Sequence, residues 1–188
     1  MDNALAEMCV DGVLKPEHKH LETKGLTHIP HLPRNFQVKW IRYILSQFHN
    51  AQLWLEQPIL IMQKMIHKVT SIPMLTKAKT TKTLGREELQ KKTLAEWDDR
   101  GLKINNVTDV EIRFGIHIIC HKIYNLSRLN NVPCEAVDLA YKVVKKNLEY
   151  DLSDVLLKQL NKRIDSVKTS KKNPFKFGSL LTCLFFYV

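Results

Sequence analysis

His117, Cys120 and His121 are the residues of this chain whose types and spacing come closest to chemistry. His117 and His121 stand four apart, so a helix would present them on one face, the geometry of a two-histidine zinc face. In the HExxH arrangement a glutamate general base follows the first histidine, and here that position is Ile118. Cys134, thirteen residues after His121, is a conceivable third ligand, and Cys120 with His117 or His121 is a conceivable nucleophile–base pair. Adjacent helical residues diverge by about 100°, which makes Cys120 with His121 a poor pair. These residues define a metal-dependent or Cys-His hydrolase as the enzymatic alternative. The expected state is packed, hydrogen-bonded histidines, with no catalytic residue, metal or cofactor assigned.

Other constellations are weaker. His18, His20, His28 and His31 crowd an N-terminal stretch broken by Pro16, Pro30 and Pro33, but their spacing matches no structural zinc pattern. Glu96, Asp98 and Asp99 bunch without a partnered histidine and read as a solvated helix end.

The second kind of chemistry is electrostatic. The 188 residues carry a formal charge of +10 and a pI near 9.5, an excess that attracts nucleic acid or anionic membrane. No acid lies between Glu56 and Glu87, and Thr76–Thr83 reads TKAKTTKT. Hydroxyls and ammonium groups together suit phosphate contacts, which position a protein without reading sequence. No Walker loop is present, since Gly85 is followed by Arg86. A second basic stretch, Lys158 to Lys176, holds one acid, Asp165. Lys77, Lys79, Lys82, Arg86, Lys171, Lys172 and Lys176 are therefore the candidate nucleic-acid-binding residues.

The elements that must position these groups read as helices. Hydrophobic residues make up 44% and charged residues 26%, a globular balance, and six glycines supply too little turn chemistry for a many-stranded sandwich. Apolar spacing predicts a helix over Asn35–His49, with Phe36, Trp40, Ile41, Ile44, Leu45 and Phe48 on one inward face. Gln52–Glu56 alternates and is a strand or a bridge. Pro58 suits a helix start, followed by Met62, Met65, Ile66 and Val69, with Pro73 as the stop and Ser71-Ile72 extended before it. Further helices are expected over Arg86–Asp99 with Leu89, Leu94 and Trp97 inward, Asp109–Leu126 apolar on two sides, Pro133–Leu148, and one capped by Asp151 or Ser153 with Leu156, Leu160, Ile164 and Val167 inward. The fold class is mainly α, an irregular domain of six or seven helices with at most one short strand pair. Residues 1–34 form a flexible arm, 35–170 the helical domain, and 171–188 a basic linker with an apolar C-terminal segment.

That closing run, FGSLLTCLFFYV, has 12 residues and no charge, short of the roughly 20 a membrane helix needs. It reads as a core element of a fragment cut from a longer frame, and membrane association is not expected. Leu180, Leu181, Leu184, Phe185 and Phe186 should pack on the Ile112–Leu126 helix or stand exposed. The N-terminus carries acids and lacks the apolar core of a signal peptide, and four cysteines without a CxxC pair fit reduced thiols of the cytoplasm or nucleus.

The segments PILIMQKMIHKVTSIPML, KAKTTKTLGREEL, TLAEWDDRGLKI, PCEAVDLAYKVVKKNL and FKFGSLLTCLFFYV resemble a class of plant proteins derived from transposons or retroelements, over roughly the last three-quarters of the chain. The resemblance implies an origin and a plant host more than an activity, because it brings no DDE triad, zinc knuckle or reverse-transcriptase motif. The expected function is a non-enzymatic helical protein that binds nucleic acid through its basic segments or associates with itself. A third possibility is an interaction module that docks through its C-terminal apolar run.

Overall fold

The computed structural model describes residues 8–10, 13–24, 26, 38–49, 52–75, 83–95, 97–98, 101–124, 126, 132–145, 150–169 and 177–187. The chain divides into two compact units, each assembled from two stretches: residues 1–27 with 75–150, and residues 28–74 with 151–188. Mainly helical architecture holds for both.

In the first unit, β1 (Cys9–Val10) and β2 (Val13–Leu14) form a short antiparallel hairpin, followed by a 3-10 turn at Pro16–His18 and α1 (His20–Thr23). This region was expected to be a solvated arm, yet Met8, Leu14, Leu21 and Leu26 are all buried. Its prolines and histidines outweigh the four apolar anchors in a composition reading. Next come α4 (Arg86–Thr93), the hairpin β6 (Trp97–Asp98) and β7 (Gly101–Leu102), a 3-10 turn at Ile104–Asn106, α5 (Val110–Ile118) and α6 (Cys134–Lys145).

Asp109 starts α5 by accepting from the Ile112 amide at 3.0 Å, an N-cap that satisfies one of the orphan donors of the first turn. Ile112, Phe114, Ile116, Ile119 and Ile123 are buried, so this segment is enclosed on more than one side, as its apolar pattern predicts. It does not stay α-helical throughout. Ile119–Ile123 winds as a π-helical turn, closed by the Tyr124 amide donating to the Ile119 carbonyl at 2.9 Å. Helices α5 and α6 pack together, and at Gly115 an added Cβ would lie 2.7 Å from Val144 Cγ2.

In the second unit, α2 (Val38–Ser46) buries Ile41 and Ile44 and runs into a three-stranded antiparallel sheet, β3 (Phe48–His49), β4 (Gln52–Trp54) and β5 (Pro58–Leu60). Phe48 pairs with Leu53 and Leu53 with Ile59, which places the buried Phe48 and Leu53 side by side. Three small sheets thus replace the single strand pair expected, and eight α-helices lie among the described residues. Pro58 opens β5 rather than a helix. It sits on the outer strand of its sheet, where a missing amide breaks no ladder.

Helix α3 (Gln63–Thr70) then buries Met65, Ile66 and Thr70. It ends at Ser71, which takes a left-handed conformation (φ 57°) and not the extended one expected. Thr70 Oγ1 donates to the Ile66 carbonyl and accepts from the Ile72 amide, so it bridges the helix end. Helix α7 (Leu152–Thr169) is capped by Asp151, which accepts from the Asp154 amide at 3.1 Å, and buries Leu156, Leu160 and Ile164. Helix α8 (Gly178–Tyr187) packs on α2 and α3 of its own unit with Leu180, Leu181 and Leu184 buried. Phe186 of the same closing run stays 79% exposed.

Two inward assignments fail. Trp40 is 50% exposed although it stands one turn before the buried Ile44, at the edge of the covered face of α2. Leu94 is 78% exposed with φ 50°, so α4 stops at Thr93 and Trp97 belongs to β6. No helix among the described residues is long and apolar enough to cross a membrane.

Candidate nucleic-acid interface

Of the seven basic residues singled out in the sequence, Arg86 alone lies among the described residues. Lys77, Lys79, Lys82, Lys171, Lys172 and Lys176 lie outside them. Arg86 is the first residue of α4, exposed, with its guanidinium 5.9 Å from the centroid of the Trp97 ring, a cation–π contact.

The His117, Cys120, His121 group is built by α5 and its π-helical continuation. The two imidazoles stack, centroids 5.9 Å apart and planes 24° from parallel. Cys120 is fully buried, and loss of solvation pushes its thiol up to about 12. A thiol so raised stays protonated at neutral pH and is a poor nucleophile. Burial raises the Cys134 thiol as well, with Glu135 adding to the effect. Among the described residues no group of three or more histidine, cysteine or acidic side chains is arranged to hold a metal ion. Both described thiols near the histidine pair are thus shifted away from the reactive thiolate form.

Two acids of the first unit, Glu111 and Asp109, share one group of cations. Glu111 accepts from His18 Nδ1 at 2.8 Å and from Lys145 Nζ at 3.3 Å, with His20 Nε2 at 3.6 Å. Asp109 lies 2.8 Å from the same Lys145. Burial pushes the Glu111 carboxyl up, but His18, Lys145 and His20 outweigh it and hold the group below its ordinary value. Asp109 is likewise held down by Lys145 and the Ile112 and Glu111 amides against the effect of burial. Lys145 is raised, its two carboxylates overcoming desolvation. Nearby Lys24 goes the other way: burial lowers it, and its ammonium donates to the Val144 carbonyl at 2.7 Å. The sequence offers no local signal for this cluster, because His18 and Glu111 are 93 residues apart.

The chain matches no protein-family model, no curated protein and no solved structure.

The charge excess is divided unequally between the two units. The first holds 17 Lys and Arg against 15 Asp and Glu; the second holds 12 against 4. Four-fifths of the net charge thus belongs to the second unit. There Arg42 on α2, Lys64 and Lys68 on α3, and Lys158 and Lys162 on α7 are exposed. Lys158 is paired with Asp154 at 2.7 Å. Lys64 and Lys68, one turn apart on α3, have no ion pair among the described residues. Sequence reasoning marked acid-poor windows but could not see that residues 28–74 and 151–188 are joined in one body.

Proposed function

We propose that this chain is a non-enzymatic helical protein of mobile-element descent that binds nucleic acid through the basic second unit. The observation that carries the reading is the concentration of charge: 12 cations against 4 acids in one compact unit, while the first unit is close to neutral. Clustered cations displace condensed counterions from a phosphate backbone, so binding is driven by ion release and falls steeply with salt. Lys64, Lys68, Arg42 and Lys162 supply exposed cations on helices, and Lys171, Lys172 and Lys176 add to the same stretch of sequence. Lys77, Lys79, Lys82 and Arg86 belong by sequence to the first unit and contribute less.

A salt titration of oligonucleotide binding by the full chain tests this. With about four phosphate contacts, affinity should fall roughly hundredfold between about 50 and 200 mM salt. Lys64→Glu/Lys68→Glu should weaken binding more than Lys77→Glu/Lys79→Glu. Affinity at low salt no better than that of a neutral control protein would remove the reading.

A further inference from the structure

The second unit carries, besides its charge, a row of aromatic rings at the surface. Trp40 and Tyr43, three apart on α2, are each 50% exposed and meet edge to face, centroids 6.1 Å apart. Phe185 of α8 lies 6.2 Å from Trp40 at 51°, and Phe186 lies 5.7 Å from Phe185 at 82°. Phe186 is 79% exposed and Tyr187 is 49% exposed. The same two helices bury Ile41, Ile44, Leu180, Leu181 and Leu184. Hydrophobic burial thus leaves Trp40, Tyr43 and Phe186 outside with Phe185 half-buried between them, and the rings hold their positions against one another.

Exposed rings are costly when only water faces them, and single ones are common on any surface. Here four touch in succession, Arg42 is exposed on the same helix, and α8 packs directly on α3, which carries Lys64 and Lys68. A duplex hides its base faces within the stack and offers this surface only phosphates. A single strand offers both phosphates and unstacked base faces. Grooves that combine cations with aromatic rings bind single strands with little sequence preference, because every base has a π-face.

Resting on the nucleic-acid reading above, we infer that the Tyr43–Trp40–Phe185–Phe186 row is a stacking platform that makes the second unit selective for single-stranded over double-stranded nucleic acid. The cations set affinity for either form, and the rings set the preference between them.

Fluorescence anisotropy of the full chain with labelled oligo(dT), oligo(rU) and a blunt duplex of equal length tests this at about 50 mM salt. Single strands should bind at least tenfold more tightly than duplex, and the dT and rU arms identify the preferred sugar. Trp40→Ala and Phe186→Ala should each weaken single-strand binding about tenfold, within the range for loss of one stacked base, and leave duplex binding within about twofold. Trp40→Phe should retain most of the affinity, since it keeps a ring. Circular dichroism of each variant should match the parent, because both side chains are largely outside the core. Equal affinity for single strands and duplex, unmoved by Trp40→Ala, overturns the platform and leaves the electrostatic reading standing. Tighter binding to anionic vesicles than to single strands, or a dimer that Trp40→Ala dissociates without any strand preference, also overturns it. No binding of either nucleic acid removes both readings.

Discussion

Lys142 Nζ lies 2.6 Å from Asp138 Oδ2, one turn apart on α6, with both side chains closed off from water. The ammonium also sits 5.9 Å from the centroid of the Tyr150 ring. Desolvating two charges is expensive, and the pair's own attraction offsets that cost only while both members are present. Asp138→Asn should therefore cost about 3–5 kcal/mol, whereas Asp138→Leu with Lys142→Met, which removes both charges, should lie within about 2 kcal/mol of the parent. Urea denaturation of the two variants distinguishes these outcomes. A single variant no less stable than the double one would show that the pair contributes nothing.

A second prediction concerns the helix crossing beside that pair. Alanine normally improves a helix interior over glycine by about 1 kcal/mol. At Gly115 the new Cβ would stand 2.7 Å from Val144 Cγ2 and 3.6 Å from Ala140 Cβ. Val144 is β-branched and buried, so it has little rotamer freedom with which to yield. The clash should win, and Gly115→Ala should destabilise by about 1–2 kcal/mol. Adding Val144→Ala should recover part of the loss, a coupling measurable in a double-mutant cycle.

The carboxylates of the His18–Glu111–Lys145–Asp109 cluster give stability a definite pH dependence. Glu111 and Asp109 have pKa values below their ordinary 4.5 and 3.8 in the folded state. Each thus binds protons more readily when unfolded, so its contribution is complete above that ordinary value and fades as pH falls through the folded pKa. Lys145 is raised above 10.5, so its contribution is complete below that value and is lost as pH rises through the folded pKa. Both limbs should leave a plateau near neutrality. Glu111→Gln should flatten the acid limb below about pH 4.5 in a series of thermal melts and should also reduce the alkaline loss. An acid limb as steep in the variant as in the parent would contradict the assignment.

How much of this was legible depends on whether the cause was local. The cap offered by Asp151 or Ser153, which the structure assigns to Asp151, the Leu156–Leu160–Ile164 face and the buried Ile112–Ile123 segment follow from residues within a few positions of one another. Trp40 was misplaced because spacing gives a face but not its width, and α8, whose packing decides which side of α2 is covered, is distant in sequence. Pro58 suits either a first helical turn or an outer strand, and pairing with Trp54 decides for the strand. The π-helical turn at Ile119–Ile123 has no residue signature in the sequence. Of the candidate interface, acid-poor windows were visible, but their assembly with exposed rings in one unit is a property of the fold.

Leu94 shows the same non-local control and yields the last prediction. Its apolar side chain fits the inward stripe of a helix continuing to Asp99, yet the backbone turns left-handed there (φ 50°) and leaves the side chain 78% exposed. Thr93 Oγ1 donates to the Leu89 carbonyl at 2.8 Å and is buried, so the last turn of α4 is closed one residue earlier. A left-handed conformation costs a residue with a Cβ about 1–2 kcal/mol, and glycine is the usual occupant just past a helix end. The exposed side chain gives back little of that cost. Glycine also loses more chain entropy on folding, by about 0.4–1 kcal/mol, which opposes the gain. Leu94→Gly should therefore stabilise the protein by about 0.5–1 kcal/mol, and Leu94→Val, β-branched and poorly suited to positive φ, should destabilise it. Paired thermal melts read the order of the three proteins. If Leu94→Gly were the least stable, the helix would continue through this position and the turn at Leu94 would be wrong.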